Sequence, residues 1–123
     1  MAYDRNNVFA HILRGEIPCK KVYEDEHVLA FDDISAQAPT HVLVIPKGEY
    51  VSLDDFSAKA SVAEMAALVR ALGHVAREQG VAETGYRILA NIGRDGHQEV
   101  QHFHAHVVGG RDLGAMLPSS RQA

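Results

Sequence analysis

From His102 to Val107 the chain alternates imidazole and apolar side chains without a slip, reading His-Phe-His-Ala-His-Val. Strict period-two alternation is what a half-buried β-strand produces. No other stretch constrains the fold as much, because it demands both a sheet and a packed layer behind one face of that sheet. Phe103, Ala105 and Val107 supply the core face, so His102, His104 and His106 are expected to share the opposite one, on a strand within the segment Gln98 to Gly110.

Three aligned imidazoles admit three readings. A solvent-facing polar strand is the plainest, although His is neither a strong strand former nor a cheap solvating residue. A zinc site is the second, since His is the commonest metal ligand. Residues i and i+4 of a strand lie roughly 13 Å apart while a Zn–N bond is about 2 Å, so at most two of the three can share an ion. His41 and His97, in other segments, are the nearest candidates for further ligands. Phosphoryl transfer is the third reading: one imidazole attacks phosphorus while its neighbours hold its tautomer and protonate the leaving group. An imidazole with an ordinary pKa of about 6.5 is largely unprotonated at neutral pH, and its neighbour can still deliver a proton.

Bulk properties narrow the partners. At 123 residues the chain is sized for a single domain, 1–123, with a real core. Twelve basic residues against 16 acidic ones give a formal charge of −4, which argues against binding long nucleic acid but not against a small anion. The single Cys19 cannot form an internal disulfide, and no charged segment followed by an apolar run stands before it, so export is not expected. No apolar run approaches the roughly 20 residues that span a bilayer, so a cytoplasmic location without a membrane partner is expected.

Along the chain, Asn6 or Asn7 is placed to cap a short helix with the stripe Val8, Phe9, Ile12 and Leu13, which Gly15 stops. Lys20 to Tyr23 and His27 to Phe31 read as a hairpin around a solvated acidic turn, Glu24-Asp25-Glu26. At the end of the second strand Asp32 and Asp33 face opposite ways, so they are no dyad; one carboxylate suits the hydroxyls of a ribose instead. His41 to Ile45 is apolar enough for a central strand. Gly48 to Phe56 reads as a loop, and Ser57 as the N-cap of one long helix, with Ser61 and Glu64 as an alternative capping box. That helix carries the stripe Val62, Met65, Leu68, Val69, Leu72, Val75 and Ala76, and Gly80 ends it. Tyr86 to Asn91 is a further strand. The glycine-bearing loop Asn91 to His97 precedes the imidazole strand, where backbone N–H groups can meet a phosphoryl oxygen. The expected class is α+β: an antiparallel sheet, one long helix and one short N-terminal helix.

His-Phe-His-Ala-His-Val-Val resembles the His-φ-His-φ-His-φφ signature of the histidine triad family, φ being apolar. Phe31 to His41, followed by Val42-Leu43-Val44-Ile45-Pro46-Lys47, is similar to a second block of its Hint branch. So are Val8-Phe9, Arg14 to Pro18 and Gly109-Gly110-Arg111, in register from about Asn7 to Met116. The resemblance implies hydrolysis of purine nucleoside 5′-phosphoramidates by a homodimer whose sheet continues across the interface, with no cofactor and no metal. It implies His104 as nucleophile, His106 at the phosphoryl and leaving groups, and His102 and His41 as orienting partners. Phe9, Ile17, Phe31 and Ile34, with Val8 and Ile12, would wall the base. Asp33 and Asn91 would meet the ribose, and the backbone of His97, Gln98, Glu99 and Val100 the phosphate side.

The chain departs from that pattern at Gly96-His97-Gln98, where the family has Gly-Gly-Gln, at Gln101, and in a tail without tryptophan. A His where positive φ is needed would perturb the loop. Two alternatives follow: a nucleotide-binding regulatory protein of weak catalysis, or a dinucleoside polyphosphate hydrolase. Nucleotidyltransferases of the family replace the third His by Gln, which His106 counts against.

Overall fold

In the computed structural model, which describes residues 2–117, the order of elements is α1 (Val8–Leu13), β1 (Lys21–Glu24), β2 (Val28–Asp32), β3 (Thr40–Pro46), α2 (Leu53–Lys59), α3 (Val62–Glu78), β4 (Tyr86–Leu89) and β5 (Ala105–Gly109). The five strands make one antiparallel sheet in the order β1-β2-β3-β5-β4. Every residue of β3 is buried, as its unbroken apolar run requires of a central strand.

Register sorts the side chains onto two faces. Ala30 pairs with Val44 and Val42 with Val107, and this row meets Leu68, Ala71, Val75 and Ala76 of α3 in the main core. Phe103 joins that core. The opposite face carries Leu29 against Ile45, Phe31 against Leu43 and Leu43 against His106. Here α1 lays Phe9 on Leu29, Phe31, Leu43 and Ile45. Because α1 has only six residues, it covers part of that face and leaves the part bearing the imidazoles open to a cleft.

The structure corrects several expectations. The histidine segment is extended as a paired strand only from Ala105, so His106 lies in β5 while His102 and His104 precede it. Residues 53–56 are not loop but the start of α2, and Ser52, not Ser57, is its cap, with Asp55 closing a capping box. Ser61 and Glu64 form a second box at the head of α3, and Ala60 between the two helices is extended. Two boxes so close cannot belong to one helix. On α3, Val62 and Val69 stand exposed, because one helical phase buries Leu68, Ala71 and Val75 and turns that flank outward. Asn7, not Asn6, caps α1, its Oδ1 accepting from Ala10 N at 2.9 Å. The turn after β1 is more than solvated surface: Asp25 accepts from His27 N, Val28 N and the Tyr23 hydroxyl at 2.8, 2.9 and 2.7 Å.

Candidate active site

The cleft beside α1 has a volume of about 570 Å³ and is lined by Phe9, Ile17, Phe31, Asp33, Ile34, Asn91, His97, Glu99 and Val100 together with His41, His104 and His106. A larger hollow of about 830 Å³ near Gly85 and Gly110 holds no imidazole. Of the residues expected at the site, His102 and Gln98 do not line the cleft. His102 is fully buried. Gln98 turns its amide to Val51 O and Val100 O, at 2.6 and 3.0 Å, and accepts from Gly93 N at 3.0 Å, so it braces the loop.

The hydrogen-bond network assigns the hydrogen on each ring. A carbonyl oxygen only accepts, so His102 Nε2–H donates to Pro46 O at 2.8 Å, and the neutral ring then offers Nδ1 to the Tyr3 hydroxyl at 2.5 Å. By the same rule His104 Nδ1–H donates to His102 O at 2.8 Å, which leaves its Nε2 with a free lone pair. A backbone N–H only donates, so His41 Nδ1 accepts from Gln37 N at 3.1 Å and its Nε2–H donates to His106 Nδ1 at 2.8 Å. His106 therefore carries its hydrogen on Nε2. Adjacent rings thus present opposite functions, a base and a donor, with centroids 5.3 Å apart.

Burial keeps the rings of His102, His104 and His106 neutral. It pushes His102 down to about 4, with His104 nearby adding to the shift and the Pro46 carbonyl opposing it. His106 also falls to about 4 through burial and then the neighbouring His104 and His41, against which the Asp33 carboxylate pulls. His104 moves down as well, mainly by burial. Asp33 Oδ2 lies 3.3 Å from His41 Nε2, and its Oδ1 accepts from Ser35 N at 2.8 Å. Phe9 presents an edge contact to His104 at 5.0 Å and fixes that ring against α1.

The loop that bears His97 keeps the shape a glycine would give it. His97 has φ of 60°, a left-handed conformation that His tolerates better than most residues. Gly96 is obligatory, since a Cβ there would meet Ile92 O at 2.4 Å. The N–H groups of His97 and Gln98, expected toward phosphate, are engaged inside the turn by Arg94 O and Gly93 O at 3.1 and 3.0 Å. Asn91 Nδ2 donates to Gly96 O at 2.6 Å, which holds the loop to β4's end.

Donor atoms of Asp33, His41 and His106 lie within 4.8 Å of one another, a set able to hold a metal ion. The two imidazole nitrogens are 2.8 Å apart, however, which is the spacing of a shared hydrogen. A tetrahedral zinc with bonds of about 2.0–2.1 Å separates its ligands by roughly 3.3 Å, so an ion would enter only by displacing that hydrogen and spreading the rings. Sequence reasoning missed Tyr3 and the Gln37 N–H altogether. Tyr3 lies 99 residues from the ring it touches, and no local spacing signals such a pair.

Comparison with known proteins adds three findings. The family model for the HIT domain matches residues 14–113. An uncharacterized 13.2 kDa HIT-like protein from Azospirillum brasilense is 68% identical over 94% of each chain, and the purine nucleoside phosphoramidase of Escherichia coli is 46% identical over 89% of this chain and 92% of its own. Among solved structures, a HIT family hydrolase from Clostridium thermocellum superposes with a TM-score of 0.84 at 38% identity, covering 94% of this chain and 99% of that one.

Proposed function

The chain belongs to the HIT domain family, and from that membership together with the chemistry of the cleft we propose that it hydrolyses the P–N bond of purine nucleoside 5′-phosphoramidates. One observation carries the reading: His104 bears an unprotonated Nε2 next to a His106 whose Nε2 bears a hydrogen, both rings lining one cleft. An amine is a poor leaving group until it is protonated, so a base and a donor must act on opposite sides of one phosphorus.

In the first step the His104 Nε2 lone pair forms a bond to phosphorus and the P–N bond breaks. The departing electron pair takes a proton from His106 Nε2 after that ring has taken up a proton from solvent, a charge that the phosphoryl anion of the bound substrate favours, so that the donation leaves the ring neutral. The products are a free amine and nucleotidyl-His104. Water then attacks phosphorus, its proton returns to His106, and the nucleoside monophosphate leaves with His104 restored. The hydrogen on His104 Nδ1 stays with the His102 carbonyl throughout, which keeps Nε2 available.

The walls support a nucleotide as occupant. Phe9, Ile17, Phe31 and Ile34 offer apolar surface to a purine, and Ile34, wholly exposed in the open cleft, would be covered by one. Asp33 takes the ribose hydroxyls beside Asn91, and Glu99 and Val100 supply the phosphate side next to His97. A homodimer pairs along β4, an edge strand on which Tyr86, Ile88 and Leu89 are exposed. The location is the cytoplasm; among the described residues no helix is long and apolar enough to cross a membrane.

Rapid quench of the protein with adenosine 5′-phosphoramidate tests the mechanism. A nucleotide-mass adduct on a peptide containing His104 is expected, with turnover in His104→Ala reduced by at least 10³-fold, the order of loss typical of a deleted nucleophile. Unchanged turnover in that variant would remove the scheme.

A further inference from the structure

Neither ring nitrogen of His102 touches the cleft, yet the ring is wholly buried and hydrogen-bonded at both ends. Its Nε2–H is tied to Pro46 O in β3, and its Nδ1 receives the Tyr3 hydroxyl from the segment ahead of α1. The Tyr3 ring also stands edge-on to the imidazole, with centroids 5.5 Å apart and planes at 71°. A ring held at both nitrogens cannot turn about its own side-chain bonds. The backbone of His102 is then fixed as well, and its carbonyl is the group that holds His104 Nδ1–H at 2.8 Å.

We propose that Tyr3 is a positioning residue for the histidine array: by donating to His102 Nδ1 it locks the ring whose backbone carbonyl selects the Nδ1–H tautomer of His104. Tyr3 does not line the cleft, so its effect reaches the reaction only through His102. Burial raises the phenol above its ordinary pKa, which keeps the hydroxyl protonated and able to donate. Remove the hydroxyl and His102 Nδ1 is left without a partner in a dry interior, where the cheapest remedy is rotation of the ring. The carbonyl then loses its aim, and His104 distributes its hydrogen over both nitrogens. Molecules with hydrogen on Nε2 have no nucleophile.

The step from tautomer to rate rests on the phosphoramidase reading; the tautomer itself does not. The experiment therefore has two arms. Nitrogen-15 NMR of the ligand-free wild-type protein should show His102 protonated at Nε2 and bare at Nδ1, and His104 protonated at Nδ1. Tyr3→Phe, which keeps the ring packing and drops only the hydroxyl, should place a measurable part of His104 in the Nε2–H form. In the kinetic arm, Tyr3→Phe should lower kcat for adenosine 5′-phosphoramidate about tenfold while KM stays within about twofold, and Tyr3→Ala should add a loss of thermal stability. A protonated His102 Nδ1 in the wild type overturns the proposal without any variant. So does an unshifted His104 tautomer in Tyr3→Phe, or a variant that loses stability while keeping wild-type kcat. Absence of turnover in the wild type, with the NMR pattern as expected, would instead overturn the phosphoramidase reading.

Discussion

At the scale of single residues, the chemistry is set by which nitrogen carries a hydrogen and at what pH. His104 must be unprotonated to attack, and burial holds its pKa below the ordinary value of about 6.5. The free-enzyme acid limb, read from kcat/KM, should therefore lie below pH 6.5. A limb centred at or above 6.5 would contradict the neutral, buried nucleophile. His97 is one of the residues at which the chain departs from the family pattern, and the backbone accommodates it. It holds the left-handed conformation at a cost of about 1–2 kcal/mol for a side chain, and the turn closes around it. The motif spacing made His104 and His106 legible as a pair, because alternation is a property of neighbouring residues, while His41, 65 residues from His106, joined them only through the family resemblance. Asp33 was legible as the terminus of a strand. Tyr3 was not, since it lies 99 residues from the ring it touches, and Gln37 was not, since its contact to His41 four residues on is made by a backbone N–H that the residue type does not signal.

Among the elements, strands were easier to read than the helices that cover them. The apolar runs of β2 and β3 bury on both sides, so their extents follow from hydropathy to within a residue. The region between Ser52 and Ser61 was misread because α2 is only seven residues long, too short for its apolar period to show, and its start at Ser52 and its separation from α3 at the extended Ala60 rest on two capping boxes. Each cap matters to its own helix. Ser61 accepts from Glu64 N at 3.1 Å while Glu64 reaches back to Ser61 N at 3.0 Å. Ser61→Ala should destabilise the protein by about 1 kcal/mol in urea unfolding with the site untouched, as removal of an N-cap typically does. A loss under a few tenths would mean that α3 is held by its core contacts alone.

For the molecule as a whole, the buried imidazoles link the site to stability. His102 has its pKa lowered to about 4 in the fold, against about 6.5 in an unfolded chain. Between those values the unfolded chain binds a proton that the native state refuses, so stability is full above pH 6.5 and declines as pH falls toward 4. The shift amounts to about 3 kcal/mol at His102 alone. Urea midpoints measured from pH 7 to pH 4 should fall accordingly, and His102→Gln should flatten the slope; a midpoint independent of pH over that range would contradict a neutral buried ring. The sequence by itself determined that this chain has a central apolar strand, an amphipathic long helix and an alternating histidine segment, of which only the part from Ala105 is paired as strand. These are patterns of period and composition, written in residues close along the chain. Tertiary structure decided the hydrogen on His102 and on His106. The deciding partners, Pro46 O, His41 and Tyr3, stand 56, 65 and 99 residues from the imidazoles they fix, and only packing brings them within hydrogen-bond reach.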